Sequence, residues 1–127
     1  MAWVHFNPNP YGKTVGDCTV RALCAIENLS WMDAFMQLCF TGGVIGDMPD
    51  ANETMRRLLL SLGYSRHFVQ NTCPDDCYTI RDFCADHPTG RYLVNVGRHV
   101  VGIVNGDYYD TGDSGNDVAQ YYYTKEK

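Results

Sequence analysis

Between Cys18 and Glu27 the apolar positions Val20, Leu23 and Cys24 recur at helical spacing, and no Gly or Pro interrupts the run before Asn28. Asp17, just ahead of it, is a favoured N-cap type. A second helical pattern starts at Ser30, with Asp33 as its capping-box partner. It runs through Trp31, Phe35, Leu38 and Cys39, which read as core, and stops at Gly42-Gly43. Residues 41–50, rich in Gly and carrying Pro49, read as a loop. Met55, Leu58, Leu59 and Leu62 line one face of a third helix over about 52–62, with Gly63 as its stop. After a short strand at 66–70 and a turn-rich loop at 71–78, Thr79 and Asp82 cap a fourth helix. Its inward face is Ile80, Phe83 and Cys84, and His87-Pro88 ends it.

Past Gly90 the period changes. Residues 91–96 and 100–104 are β-branched and apolar, Asn105-Gly106 is a hairpin turn, and Asp107 to Asp110 is the return strand. A Gly- and Asp-rich loop leads to a last strand through Tyr121, Tyr122 and Tyr123. At the other end, Trp3-Val4-His5-Phe6 alternates and two Asn-Pro pairs follow, which predicts a short strand or extended arm. Helices first and an antiparallel sheet afterwards make the class α+β, a single domain over 1–127.

Composition narrows the partners. A formal charge of −5 and a pI of about 5.1 argue against a broad basic face for nucleic acid or anionic lipid. No apolar run reaches membrane-spanning length, and the start lacks the basic and apolar regions of a secretory signal, so the expected compartment is the cytoplasm. In a reducing compartment the six cysteines are expected as thiols, a Cys73–Cys77 disulfide included among the unexpected pairings.

One of those thiols stands where chemistry is possible. Cys18 falls in the first turn of its helix, beside unpaired backbone N–H groups and the positive end of the helix dipole, which favour the thiolate. A two-residue turn at Asn105-Gly106 pairs Ile103 with Tyr108 and brings Asp110 diagonally next to His99 on one face. A histidine oriented by a carboxylate is the base that a thiol nucleophile needs. Asp113 is the alternative acid, reachable only if a bulge at Gly112 turns it.

Gly16-Asp17-Cys18 opening a helix, then Arg98-His99-Val100-Val101 and Tyr108-Tyr109-Asp110 on a terminal sheet, resembles the papain-like cysteine peptidases. Within that superfamily the chain is most similar to small C39-like peptidase domains, including those of bacteriophage and prophage genomes. The resemblance covers most of the chain in order. It implies a papain-like architecture, with a helical half packed on the sheet, and hydrolysis of a peptide amide through a thioester acyl-enzyme. The triad maps onto Cys18, His99 and Asp110, with a peptide or protein substrate, no cofactor and, for a phage protein, the host cytoplasm as its place of action. The glutamine that usually precedes the nucleophile and completes the oxyanion hole is missing. Asn7 or Asn9 could supply an amide there, or Lys13 a charged donor.

Three other readings remain open at this stage. Cys73, Cys77, Cys84 and His87 are chemically suited to a structural zinc, although Cys84 is expected in the core. The same fold could serve as a non-catalytic binding protein, a phage-encoded modulator of a host factor, with Asp107, Asp110, Asp113 and Asp117 facing a basic partner. The same triad also performs transamidation or deamidation, since the thioester needs only a different acceptor. The segments 7–12 and 42–46 are expected to border the cleft, which would favour small residues near the scissile bond.

Overall fold

A computed structural model of the chain describes residues 2–71, 73 and 75–125. Its elements, in chain order, are β1 (Trp3–His5), α1 (Cys18–Glu27), α2 (Trp31–Ile45), α3 (Asn52–Ser61) and β2 (Tyr64–Phe68). Then follow α4 (Ile80–Asp86), β3 (Arg91–Asn95), β4 (Val100–Val104), β5 (Asp107–Asp110) and β6 (Tyr121–Lys125). The strands form one sheet in the order β1-β5-β4-β3-β6-β2, and the class is α+β. Of the loop expected at 71–78, Thr72 and Pro74 lie outside the described residues.

The hairpin forms in the expected register. Asn105 and Gly106 both adopt positive φ (51° and 82°), as a tight two-residue turn demands, and Ile103 pairs with Tyr108. The sheet is not wholly antiparallel, however: β1 runs parallel to β5, with His5 opposite Asp110. Backbone pairing of an N-terminal arm with the far end of the chain leaves no trace in local periodicity.

Alternation along the central strands divides the core in two. Leu93 and Val100 join α1, α2 and α3 in one cluster, whereas Val94, Val101 and Ile103 join Ile80, Phe83 and Cys84 of α4 in the other. Helices therefore cover both faces of the sheet, and α4 does not belong with the first three. Its capping box is formed as expected, with Thr79 and Asp82 each bonded to the other's backbone N–H. The second helix, by contrast, continues through Gly42 and Gly43 and ends at Gly46 in the left-handed conformation. Glycine weakens a helix interior without ending it. Gly42 is needed there for space, because a Cβ would sit 2.5 Å from the Asp47 carbonyl oxygen.

Cys73 and Cys77 are joined as a disulfide, against the expectation of reduced thiols. Cys84 lies in the core and His87 stacks on Phe83, so the zinc ligand set is not assembled. No helix among the described residues is long and apolar enough to cross a membrane.

α1 lies directly on β4. A Cβ at Gly102 would come 2.9 Å from the Ala25 Cβ and 3.0 Å from the Ala22 carbonyl oxygen, so only glycine admits this approach. Gly102→Ala is expected to push α1 away and lower stability by about 1–3 kcal/mol, the usual cost of overpacking. A thermal or urea melt that matches wild type would contradict that account.

Candidate active site

α1 and β4 carry the two ends of a cleft of about 470 Å³ whose walls include Gly16, Cys18, Asn52, Asn95, His99 and Val100. Cys18 is the first residue of α1, half-buried. His99 immediately precedes β4, and Asp110 is the last residue of β5. The hairpin register brings these strand ends together, with His99 Nε2 2.6 Å from Asp110 Oδ2. The His99 ring also faces the Cys18 thiol closely enough to act on its ionisation. The three residues singled out from the sequence thus meet at one place.

Their electrostatics are coupled. Burial alone would penalise a Cys18 thiolate, but hydrogen bonds from His99 and the Val100 main-chain N–H oppose it, as do the positive charges of His99 and Arg21. Together these prevail and hold the thiol below its ordinary range. His99 is pushed up to about 9, chiefly by its hydrogen bond to Asp110 and then by that to Cys18. For Asp110 burial works toward the neutral form, yet the bond and charge of His99 and the Thr111 N–H hold it below the usual carboxylate range. The three shifts run in one sense, each toward the charged form: thiolate, imidazolium and carboxylate.

Comparison with known proteins identifies no relative. No family model matches the chain, and neither a curated protein nor a solved structure matches it.

A further set of side chains stands behind the site, and sequence reading did not find it. Arg21, one turn along α1 and 5% exposed, bonds Asp110 Oδ1 at 3.0 Å through Nη2 and Asp17 Oδ1 through Nη1. The Trp31 indole N–H donates to Asp17 Oδ2 at 2.8 Å. Asp17 accordingly makes no side-chain cap bond to α1, although its residue type suggested one. An ion pair at a buried position competes successfully for a carboxylate that would otherwise accept backbone N–H groups. The Asp17–Arg21 spacing could have signalled the pair, but the long-range bond to Asp110 has no local signature.

Other expected positions lie elsewhere. Asn7 Nδ2 donates to the Lys13 carbonyl at 3.2 Å, and neither residue is in the cleft wall. Asn9 accepts the N–H groups of Tyr11 and Lys13, closing the arm's turn on itself. Segments 7–12 and 42–46 do not line the cleft either; Val15, Asp50 and Asn52 do. Asp113 is engaged by Arg81 at 2.9 Å, the Tyr108 hydroxyl at 2.5 Å and the Gly115 N–H, so it does not serve His99. The donors actually bordering Cys18 are the first N–H groups of α1, which Asp17 leaves uncapped.

Proposed function

We propose that the protein is a papain-like cysteine peptidase in which Cys18, His99 and Asp110 are the catalytic triad. The observation that carries this reading is the His99–Asp110 hydrogen bond at 2.6 Å, with Cys18 interacting with the same imidazole on the wall of one cleft.

The chemistry follows from the charge states. The Cys18 thiolate attacks the substrate carbonyl carbon; a C–S bond forms and the carbonyl π pair moves to oxygen. The uncapped N–H groups at the start of α1 are placed to stabilise that oxyanion. As the pair returns, the C–N bond breaks and His99 passes its proton to the departing amine. His99, now neutral, takes a proton from water, whose oxygen attacks the thioester. The adduct collapses with cleavage of the C–S bond, whose pair returns to sulfur as the Cys18 thiolate; the carboxylic acid leaves and gives its proton to solvent, while His99 stays the imidazolium. Asp110 stays ionised throughout, holding the ring in position and stabilising its charge.

Brief exposure to a limiting thiol-reactive acylating probe at pH 7, followed by peptide mass spectrometry, is expected to label Cys18 well ahead of the other free thiols. Burial raises Cys24 and Cys84 to about 11, so they are disfavoured both by access and by ionisation. His99→Gln removes a hydrogen bond and a charge that favour the thiolate. It should raise the Cys18 pKa and cut labelling at pH 6–7 by about tenfold or more, with recovery at higher pH. Equal labelling of Cys18 and Cys39, or no response to His99→Gln, would remove the ground for a peptidase.

A further inference from the structure

We infer that Arg21, held by Asp17 and Trp31, is a positioning residue that fixes Asp110 relative to the helix carrying Cys18. The inference rests on the triad reading above.

The geometry makes the case. Asp110 uses one carboxylate oxygen for His99, at 2.6 Å, and the other for Arg21, at 3.0 Å, and the Thr111 N–H, at 2.8 Å. A carboxylate bonded on both sides cannot rotate about its last bond without losing one partner. Pairing of β4 with β5 ends at Gly102 and Tyr109, short of both His99 and Asp110, and the Asp110 main chain is held from the other side by β1, opposite His5. The Thr111 N–H fixes the carboxylate relative to its own strand, and Arg21 fixes it relative to α1, one turn after the nucleophile. Nucleophile and acid are thereby referenced to the same helix.

Arg21 is itself fixed from the other side. Asp17 takes its second N–H face and is pinned by the Trp31 indole at 2.8 Å. Trp31 stacks on Phe35 with centroids 5.0 Å apart and an interplanar angle of 13°, which ties the chain of bonds into α2. A planar guanidinium suits this place because it offers parallel N–H groups to two carboxylates at once; an ammonium offers a point charge.

The alternative is that Arg21 acts only as a positive charge, and the two accounts predict opposite outcomes. Arg21→Lys keeps the charge and loses the two-sided fork. Asp17→Asn removes a negative charge next to Cys18, which by charge alone would favour the thiolate and speed alkylation. Under the positioning account both changes loosen Asp110, His99 is held less well, and alkylation slows. Small displacements of catalytic groups cost up to about 10²-fold.

The test is the pH profile of Cys18 alkylation by iodoacetamide in the full chain, with Cys39 as an internal reference and thermal melts to check folding. Arg21→Lys and Asp17→Asn are expected to slow Cys18 at pH 7 by about tenfold or more and to move the rise of the profile to higher pH. Trp31→Phe, which keeps the stack and loses one N–H donor, should give a smaller shift in the same direction and guards against a variant that fails to fold. Wild-type rates in Arg21→Lys, or faster alkylation in Asp17→Asn, would overturn the positioning role while leaving the triad standing. A wild-type Cys18 no more reactive than Cys39 would overturn both.

Discussion

Cys18→Ala is expected to abolish turnover, a loss of about 10⁴-fold or more, while the protein melts close to the wild-type temperature. The asymmetry between activity and stability has a structural reason. Cys18 is half-buried at the rim of the main cluster, so losing its sulfur opens no sealed cavity. Chemically, among the described residues the His99 ring is partnered by Asp110 and Cys18, so replacing Cys18 leaves it no thiol to activate. His99→Ala should reduce turnover nearly as far, because it removes both the proton acceptor and the charge that keeps the thiolate. Asp110→Asn should cost less than either change at low pH and more as pH rises, because without the carboxylate His99 loses its proton earlier. The wild-type profile of kcat/KM should be bell-shaped. Its acid limb lies below the ordinary thiol range, where Cys18 becomes protonated. Its alkaline limb lies near 9, where His99 loses the proton that the leaving amine requires. Steady-state rates on activated acyl esters and peptide amides check all of this. Undiminished hydrolysis by Cys18→Ala would remove the nucleophile from the account.

How much of this could be read from the residues alone follows the range of the interactions. Local signals carried well: the Asn105-Gly106 turn set the register that brings His99 to Asp110, and the Thr79 and Asp82 capping box formed as its spacing required. Signals that depend on a competition were misread. Asp17 had the right type for a cap, but Arg21 and Trp31 bind its carboxylate instead. Gly42 and Gly43 had the composition of a helix stop, and the helix passes through them because the left-handed turn falls at Gly46. Pairings distant in the chain were invisible, notably β1 with β5 and Arg21 with Asp110. The oxyanion donors were sought in Asn7 and Lys13 because those side chains precede Cys18 in sequence. The arm closes on itself instead, Asn7 donating to the Lys13 carbonyl and the Lys13 N–H to the Asn9 amide oxygen.

Arg21→Met is expected to destabilise the fold by about 3–5 kcal/mol, the typical cost of removing one partner from a buried ion pair. The argument turns on what is left behind. Asp17, Arg21 and Asp110 are 7%, 5% and 3% exposed, and the guanidinium is the group that both carboxylates share. Without it Asp17 keeps the Trp31 N–H but its Oδ1 faces a methionine that cannot donate, and Asp110 Oδ1 keeps the Thr111 N–H while both buried carboxylates lose their counter-charge. The deficit should depend on pH with a definite sign. In the wild type Asp110 is held below the usual carboxylate range, so its contribution is present at neutral pH and lost as pH falls through its folded-state value. Arg21→Met takes away the guanidinium 3.0 Å from Asp110 Oδ1, so the carboxyl protonates more readily and the gap between variant and wild type should narrow on acidification. Urea melts at pH 7 and pH 4 measure both numbers. The triple change Asp17→Asn, Arg21→Met, Asp110→Asn provides the control, because neutral amides in place of the carboxylates remove the unpaired charge and should recover much of the lost stability. A full-sized deficit in the triple variant would mean that Arg21 stabilises the fold by packing its stem and not by neutralising the two acids.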